Sequence, residues 1–168
     1  MGPVEVVFLV VVAIFIAIAF VRGYAKELGI TVMLLIALFV LEFLNERYQA
    51  MVNEALDITT GQAGVLRPWL YVLFLLVITF ISYQGNTLSF PGSGNKPFFN
   101  FGVGLLNGYL FAGSIWYYLA QAGWAGLPVI PTYTPTYEAL VRLLPPAVFS
   151  WPYFIGLAVI LLIARVWK

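Results

Sequence analysis

Four polar side chains inside long apolar runs could line a pathway for a proton or an ion: Glu42, Thr79, Asn107 and Ser114. A carboxylate at the centre of a membrane helix is costly and is a functional candidate by default. Glu42, however, lies near the far end of its apolar run, where a carboxylate can reach the lipid headgroups. We therefore interpret Glu42 as an interfacial glutamate, with a proton-carrying site as the alternative.

Groups for covalent or metal chemistry are scarce in this sequence. It has no cysteine and no histidine, which excludes thiolate nucleophiles, the usual zinc sites and imidazole-ligated pigments. No serine is spaced to pair with a lysine, and the run Gly92–Lys96 lacks phosphate-loop spacing. We predict no enzymatic activity and identify no cofactor, although the 17% aromatic residues would suit a groove for a lipid, quinone or carotenoid.

The composition is that of a membrane protein. Of the 168 residues, 62% are apolar and 9% are charged, whereas a soluble domain has about 45–50% apolar and about 25% charged residues. So few charges cannot cover a soluble core, which excludes a soluble enzyme. The net charge of +1 provides no basic surface for a phosphate backbone, which excludes nucleic-acid binding.

The elements that carry these residues are predicted to be membrane helices. A spanning helix needs about 20 predominantly apolar residues. We expect an all-α bundle of about five transmembrane helices with interfacial amphipathic segments, in a single domain of residues 1–168. The predicted spans cover about residues 4–21, 28–44, 69–83, 99–121 and 151–166. No basic residue precedes the first run, so it is interpreted as a retained span rather than a cleaved signal.

The connections between these spans differ in character. Asn45–Pro68 is the most polar stretch, and its first half is predicted to form a surface amphipathic helix. Pro68 suits the first turn of the third span. Gln84–Phe98 is too rich in turn formers for a continuous helix. Ala122–Ser150 is too apolar for a solvated loop and contains a short amphipathic helix, Glu138–Leu144, ended by two prolines.

The basic residues predict the orientation in the membrane. With five spans, one side holds five of them and the other side three: Arg22, Lys26, Lys96, Arg165 and Lys168 against Arg47, Arg67 and Arg142. Basic residues are enriched in cytoplasmic segments. We therefore expect a multi-pass protein of the bacterial cytoplasmic membrane with its N-terminus outside and its C-terminus in the cytoplasm.

Small residues four apart mark a packing face in the fourth span: Gly104, Gly108 and Ala112. Such a stripe lets a second helix approach closely. We favour internal packing against another span, with self-association or docking on a foreign helix as the alternative. Asn107 lies on another side of this helix and must find a hydrogen-bond partner away from lipid.

Two cations follow the first span, in the segment Arg22–Glu27. Arg22 and Lys26 are four residues apart, as on one helix face, and we interpret them as a cytoplasmic anchor. The alternative is binding of anionic lipid or of a partner, to which each cation would contribute about 1 kcal/mol.

Three segments in order resemble the colicin V production protein (CvpA) family of bacterial inner-membrane proteins. Arg22, Gly23, Lys26 and Glu27 stand in a segment similar to that family's Arg-Gly-aromatic-x-basic-Glu signature. Phe101–Gly108 is similar to its Gly-Leu-Leu-Arg-Gly helix, and Tyr137–Pro146 to its short amphipathic segment. Asn107 replaces the usual arginine, Asn95-Lys96 stands where the family has Asp-Arg, and the fifth span is an addition.

The resemblance implies a small polytopic protein linked to toxin export and envelope homeostasis, without established catalytic residues. Our leading hypothesis is a non-enzymatic membrane protein that packs against membrane lipids, a membrane-protein partner or further copies of itself. In one form of it, the chain is an accessory subunit of a large bioenergetic complex. The rival hypothesis is a small transporter or channel component.

Overall fold

The computed structural model describes residues 2–47, 51, 54, 60–85, 88, 90–91, 96–124 and 134–167. These residues form helices joined by short connections, as the composition predicts. In chain order the helices are α1 (Pro3–Arg22), α2 (Tyr24–Arg47), α3 (Thr60–Gln84), α4 (Pro97–Gln121), α5 (Pro135–Val141), α6 (Pro145–Val148) and α7 (Trp151–Val166).

Four of the helices are long and apolar enough to cross a membrane. They are α1, α2, the Leu66–Gln84 part of α3, and α4. The predicted fifth span is present as α7, but its 16 residues extend only about 24 Å at 1.5 Å per residue, against a hydrocarbon core of roughly 30 Å. The first four predicted spans therefore correspond to membrane-length helices, and the fifth is an apolar helix below that length.

Helix α4 lies at the centre of the bundle. It contacts α1, α2, α3 and α6, while α7 packs along α2. The core includes Leu38, Leu75, Tyr118 and Phe154, whose side chains are fully buried. The outward faces carry exposed apolar side chains, such as Val10, Phe80 and Ile160. A bundle that is apolar inside and outside is what a lipid environment requires.

The connection between the first two helices is shorter than the sequence predicts. Only Gly23 interrupts them, and α2 begins at Tyr24 rather than near Leu28. Gly23 has a φ of 83° and donates its N–H to the carbonyl of Ala19 at 2.9 Å, a backbone conformation that glycine adopts without a Cβ clash. Lys26 and Glu27 thus belong to α2, and the helix dipole favours the negative charge of Glu27 in the first turn.

Helix α3 starts well before the predicted third span. It begins at Thr60, and Pro68 lies inside it rather than in its first turn. An internal proline removes only one backbone hydrogen bond, a defect that membrane helices tolerate. The predicted surface helix in Asn45–Pro68, including Tyr48, Val52, Ala55 and Leu56, lies mostly outside the described residues.

The turn between α3 and α4 packs onto the start of α2. Helix α3 ends at Gln84 and α4 begins at Pro97, so the predicted break in the helix is confirmed. Phe90 donates its N–H to the carbonyl of Ala25 at 3.0 Å. A Cβ atom at Gly29 would overlap the carbonyl oxygen of Leu88. Only glycine at position 29 allows this close approach.

The segment with α5 and α6 forms a hairpin that enters the bundle and returns. At its start, the Tyr137 ring lies 5.4 Å from that of Trp116, near the end of α4. Further on, the Tyr109 hydroxyl donates to the carbonyl of Leu143, and Tyr109 is the central residue of the 25-residue α4. The chain then returns to Trp151, whose ring lies 5.3 Å from that of Phe43 near the end of α2.

This re-entrant hairpin, residues 134–150, differs from the predicted interfacial helix. Its first helix runs from Pro135 to Val141 instead of Glu138–Leu144, with Thr134 accepting a hydrogen bond from the Tyr137 N–H at 3.0 Å. Pro145 opens the one-turn α6, because proline suits a first helical position. Its ring fills the space over Gly113, where a Cβ atom would lie 2.7 Å from Pro145 Cδ. Leu144 and Pro145 are thus buried against α4, whereas Arg142 and Leu143 at the tip are exposed.

Candidate functional site

The stripe of small residues on α4 faces α1. A Cβ atom at Gly104 would lie 2.7 Å from the Cα of Ile16, and one at Gly108 would lie 2.8 Å from the Cα of Val12. Ala112 continues the stripe and is buried. These distances correspond to the internal-packing interpretation. Since α1 already occupies this face, the stripe is not open to a foreign helix.

A buried carboxylate joins the ends of three helices beside the α1–α2 junction. Glu27 on α2 is 0% exposed. The Nε atom of Arg22 lies 3.3 Å from its Oε1 atom, as an ion pair without hydrogen-bond geometry. The Tyr83 hydroxyl on α3 donates to its Oε2 atom at 3.0 Å. Arg22 also donates to the Tyr83 carbonyl at 3.0 Å, with its guanidinium 4.7 Å from the Tyr83 ring centroid.

Helix α4 completes this network through Asn107. Its Nδ2 atom donates to the Oε2 atom and to the backbone carbonyl of Glu27, both at 3.1 Å. Its Oδ1 atom accepts from the Thr31 hydroxyl at 2.7 Å. Thr31 and Asn107 are 0% exposed, so the expected need of Asn107 for a partner is met inside the bundle. We call Arg22, Glu27, Thr31, Tyr83 and Asn107 the Glu27 network.

The two predicted anchor cations have different surroundings. Arg22 is bound within the Glu27 network, with 22% of its side chain exposed. Lys26 is exposed, one residue before the buried Glu27. Arg22 neutralises a buried carboxylate, which needs a cation beside it once it is taken out of water. The interpretation of the two cations as a cytoplasmic anchor stays a prediction.

Glu42 is buried in the bundle, whereas the sequence interpretation has its carboxylate reaching the headgroups. Its side chain is 6% exposed, and its Oε1 atom accepts from the Tyr118 hydroxyl at 2.7 Å. The Tyr71 ring packs edge-on against Tyr118 with 5.1 Å between centroids. A buried phenol supplies the hydrogen bond that headgroup water would otherwise supply. The carboxylate thus remains inside the bundle, between α2 and α4.

A third buried carboxylate ties the re-entrant hairpin to α1. Glu5 is 1% exposed, and its Oε1 atom accepts from the Thr134 hydroxyl at 2.7 Å. Thr79 and Ser114, the two hydroxyl candidates from the sequence, are also buried. Neither hydroxyl has a hydrogen-bond partner among the residues that the structure describes.

The sequence analysis does not identify three of the site residues, Thr31, Tyr83 and Asn100. Thr31 lies four residues after Glu27 on one face of α2, and Asn100 lies seven residues before Asn107 on one face of α4. That spacing was a readable signal of two polar faces. Asn100 is fully buried and accepts the Tyr24 N–H at 2.8 Å, which holds the first turn of α2.

An apolar groove runs between α1 and α4 on the side of their contact away from Tyr109. It has a volume of about 230 Å³, and aromatic side chains line it: Phe8, Phe111, Trp116 and Trp124. Within the described ranges, no group of acidic side chains is arranged to hold a metal ion. The chemistry of this groove suits hydrocarbon rather than a charged ligand.

Comparison of the chain with family models, with curated proteins and with solved structures found no match. The functional conclusion therefore rests on the geometry of the helices and their buried polar groups.

Proposed function

We propose that this chain is a non-enzymatic integral membrane protein that acts through helix packing with partner proteins or lipids. In its most specific form, it is a CvpA-like scaffold or accessory subunit of a larger bioenergetic complex in the bacterial cytoplasmic membrane. The observation that carries the proposal is the placement of Glu5, Glu27 and Glu42. Each carboxylate is buried and bound by a residue of another helix or of the hairpin, which stabilises one arrangement of the bundle.

The outer surface supports the same proposal. Its exposed side chains are large and apolar over much of the helices, including Phe80 at 64% and Ile160 at 61% exposure. These faces need hydrocarbon, supplied either by lipid or by neighbouring membrane helices. A protein whose buried polar groups face inward and whose outer side chains are apolar is suited to packing against lipid or other membrane helices.

The CvpA resemblance gains support from the Glu27 network. Two of the three segments that carry it, Arg22–Glu27 and Phe101–Gly108, meet there through Asn107. In that family's pattern an arginine would stand at position 107, beside a carboxylate that the asparagine binds in this chain. In this chain the contact with Glu27 is made by an uncharged amide.

The proposal includes five crossings, with α7 as the fifth. Helix α7 begins beside Phe43, near the end of α2, and packs along α2 from there. At its far end, Arg165 and the exposed Trp167 are suitable interfacial anchors, because side chains that flank a short span can reach up to the headgroups. With five crossings the two termini lie on opposite sides, and the distribution of basic residues favours an N-terminus outside and a C-terminus in the cytoplasm.

Copurification tests the subunit role. The chain is extracted from its native membrane in mild detergent, and the proteins that accompany it are quantified by mass spectrometry. We expect a stoichiometric complex that contains other membrane proteins. A chain that elutes alone from several mild detergents would contradict the subunit role.

A transporter or channel component is the second candidate. Two observations favour it: the burial of Glu42, and the re-entrant hairpin, a feature that in membrane proteins is covered by protein or lines a water-filled cavity. Ion flux that depends on Glu42 would distinguish the two functions.

A further inference from the structure

The tip of the re-entrant hairpin carries an exposed cation. Arg142 follows the last residue of α5, and its side chain is exposed. The next residue, Leu143, accepts a hydrogen bond from Tyr109 at the centre of α4. If α4 crosses the membrane, Arg142 therefore lies far from either surface. A guanidinium at this depth requires an anion or water beside it.

No acidic side chain is paired with Arg142 among the residues that the structure describes, where the ion pair seen joins Arg22 to Glu27. The nearest acid along the chain is Glu138, exposed and one turn earlier on the same face of α5. The hairpin also carries exposed apolar side chains, with Leu143 at 59% and Val148 at 48% exposure.

We propose that this hairpin face is the contact between two copies of the chain, with Arg142 of each copy paired to Glu138 of the other. The face suits a twofold contact because it carries both charges, so that one rotation forms two ion pairs. Copies inserted in the same orientation place the two hairpins at equal depth. Four residues of helix separate the charges by about 6 Å along its axis, which an arginine side chain can span.

Other occupants fit the pattern of charge less well. A lipid phosphate would neutralise Arg142 and leave Glu138 facing a like charge. A foreign helix with one acidic residue would do the same. A second copy satisfies both groups and covers the exposed leucine and valine. This inference rests on the proposed packing function, and it names the partner.

Charge reversal tests the contact in the full chain. Because the sequence has no cysteine, the substitution Trp167→Cys provides one labelling site at the end of α7. Labelled protein is reconstituted into vesicles of phosphatidylethanolamine and phosphatidylglycerol, and the dimer fraction is measured by single-molecule photobleaching. We expect Arg142→Glu and Glu138→Arg each to weaken dimerisation at least tenfold. The double variant should recover to within about threefold of the parent chain.

Controls separate loss of contact from loss of fold. Glu46→Arg reverses an exposed charge on α2 and should leave the dimer fraction unchanged. The neutral variants Arg142→Gln and Glu138→Gln provide milder changes if a reversal variant does not fold, and each should weaken dimerisation by a smaller factor. Helix content and thermal unfolding are measured for every variant.

Three outcomes would overturn the inference. They are a parent chain that is monomeric in vesicles, single reversals that leave the dimer intact, and a double variant that folds without recovering. The second outcome would place the Arg142–Glu138 pair within one chain. A monomeric parent that still copurifies with other membrane proteins would refute the self-contact and leave the packing function standing.

Discussion

At the scale of single residues, buried carboxylates join the helices through hydrogen bonds and one ion pair. Glu27 is the most completely bound of them, with contacts to Arg22, Tyr83 and Asn107. Removing one partner of a buried ion pair costs about 3–5 kcal/mol, since it leaves the other charge uncompensated. Arg22 keeps 22% exposure, so water reduces that cost.

We predict that Glu27→Gln lowers the free energy of unfolding by about 1–3 kcal/mol. The glutamine retains an acceptor for Tyr83, but it presents an uncharged group to Arg22. Unfolding in mixed micelles with increasing denaturing detergent measures the change. Glu46→Gln, an exposed site on the same helix, is the control and should shift the midpoint little. Equal shifts in the two variants would show that the buried contacts of Glu27 do not contribute to the free energy of unfolding.

Glu42→Gln separates packing from transport. Tyr118 can donate to the amide oxygen as it does to the carboxylate, so we expect stability and partner association to stay almost unchanged. Reconstituted vesicles with a proton-sensitive or ion-sensitive dye measure flux for both proteins. The packing function predicts no flux from either of them. Flux that the unmodified chain supports and the variant lacks would establish the transporter instead.

At the scale of elements, the contact between α1 and α4 depends on Gly104 and Gly108, which have no side chain to separate the two helices. Gly108→Leu should lower the unfolding free energy by about 1–3 kcal/mol, because the new side chain must push α1 away from Val12. Gly102→Leu is a matched control on the same helix, since nothing lies within 4 Å of a Cβ atom there. Leu105, 42% exposed, provides a second comparison through Leu105→Ala. The same melting temperature for all three variants would contradict a close contact.

The helices were more predictable than their contacts. Apolar runs of membrane length show directly in the sequence, so four helices fall where the hydropathy places them. The Glu27 network joins residues up to 80 positions apart, and a hydropathy pattern contains no such pairing. The short distance from Glu42 to a helix end predicts an interfacial carboxylate, but the phenol that binds it lies on another helix. The composition of the hairpin excludes a solvated loop, yet its position in the bundle depends on Gly113 and Tyr109, which are remote in sequence.

At the scale of the whole molecule, the prediction concerns topology. Reporter fusions after Gln62, Gly94, Pro135 and Lys168 should report alternating sides, beginning outside, because five basic residues fall on the cytoplasmic side, against Arg47 and Arg67 on the other side and Arg142 in the hairpin. Matching signals at the first two positions would remove α3 as a span. Matching signals at the last two would show that α7 does not cross.

The Glu27 network also imposes an order on how the protein is made. Ribosomes add roughly 5–20 residues per second, so Asn107, 80 positions after Glu27, emerges roughly 4–16 s later. During that interval the cation that pairs with the carboxylate in the finished bundle is already synthesised, because Arg22 lies only five residues before it. The ion pair that joins two helices in the finished bundle would thus form first. Arg22 would neutralise the Glu27 carboxylate in the membrane until the later helices are inserted.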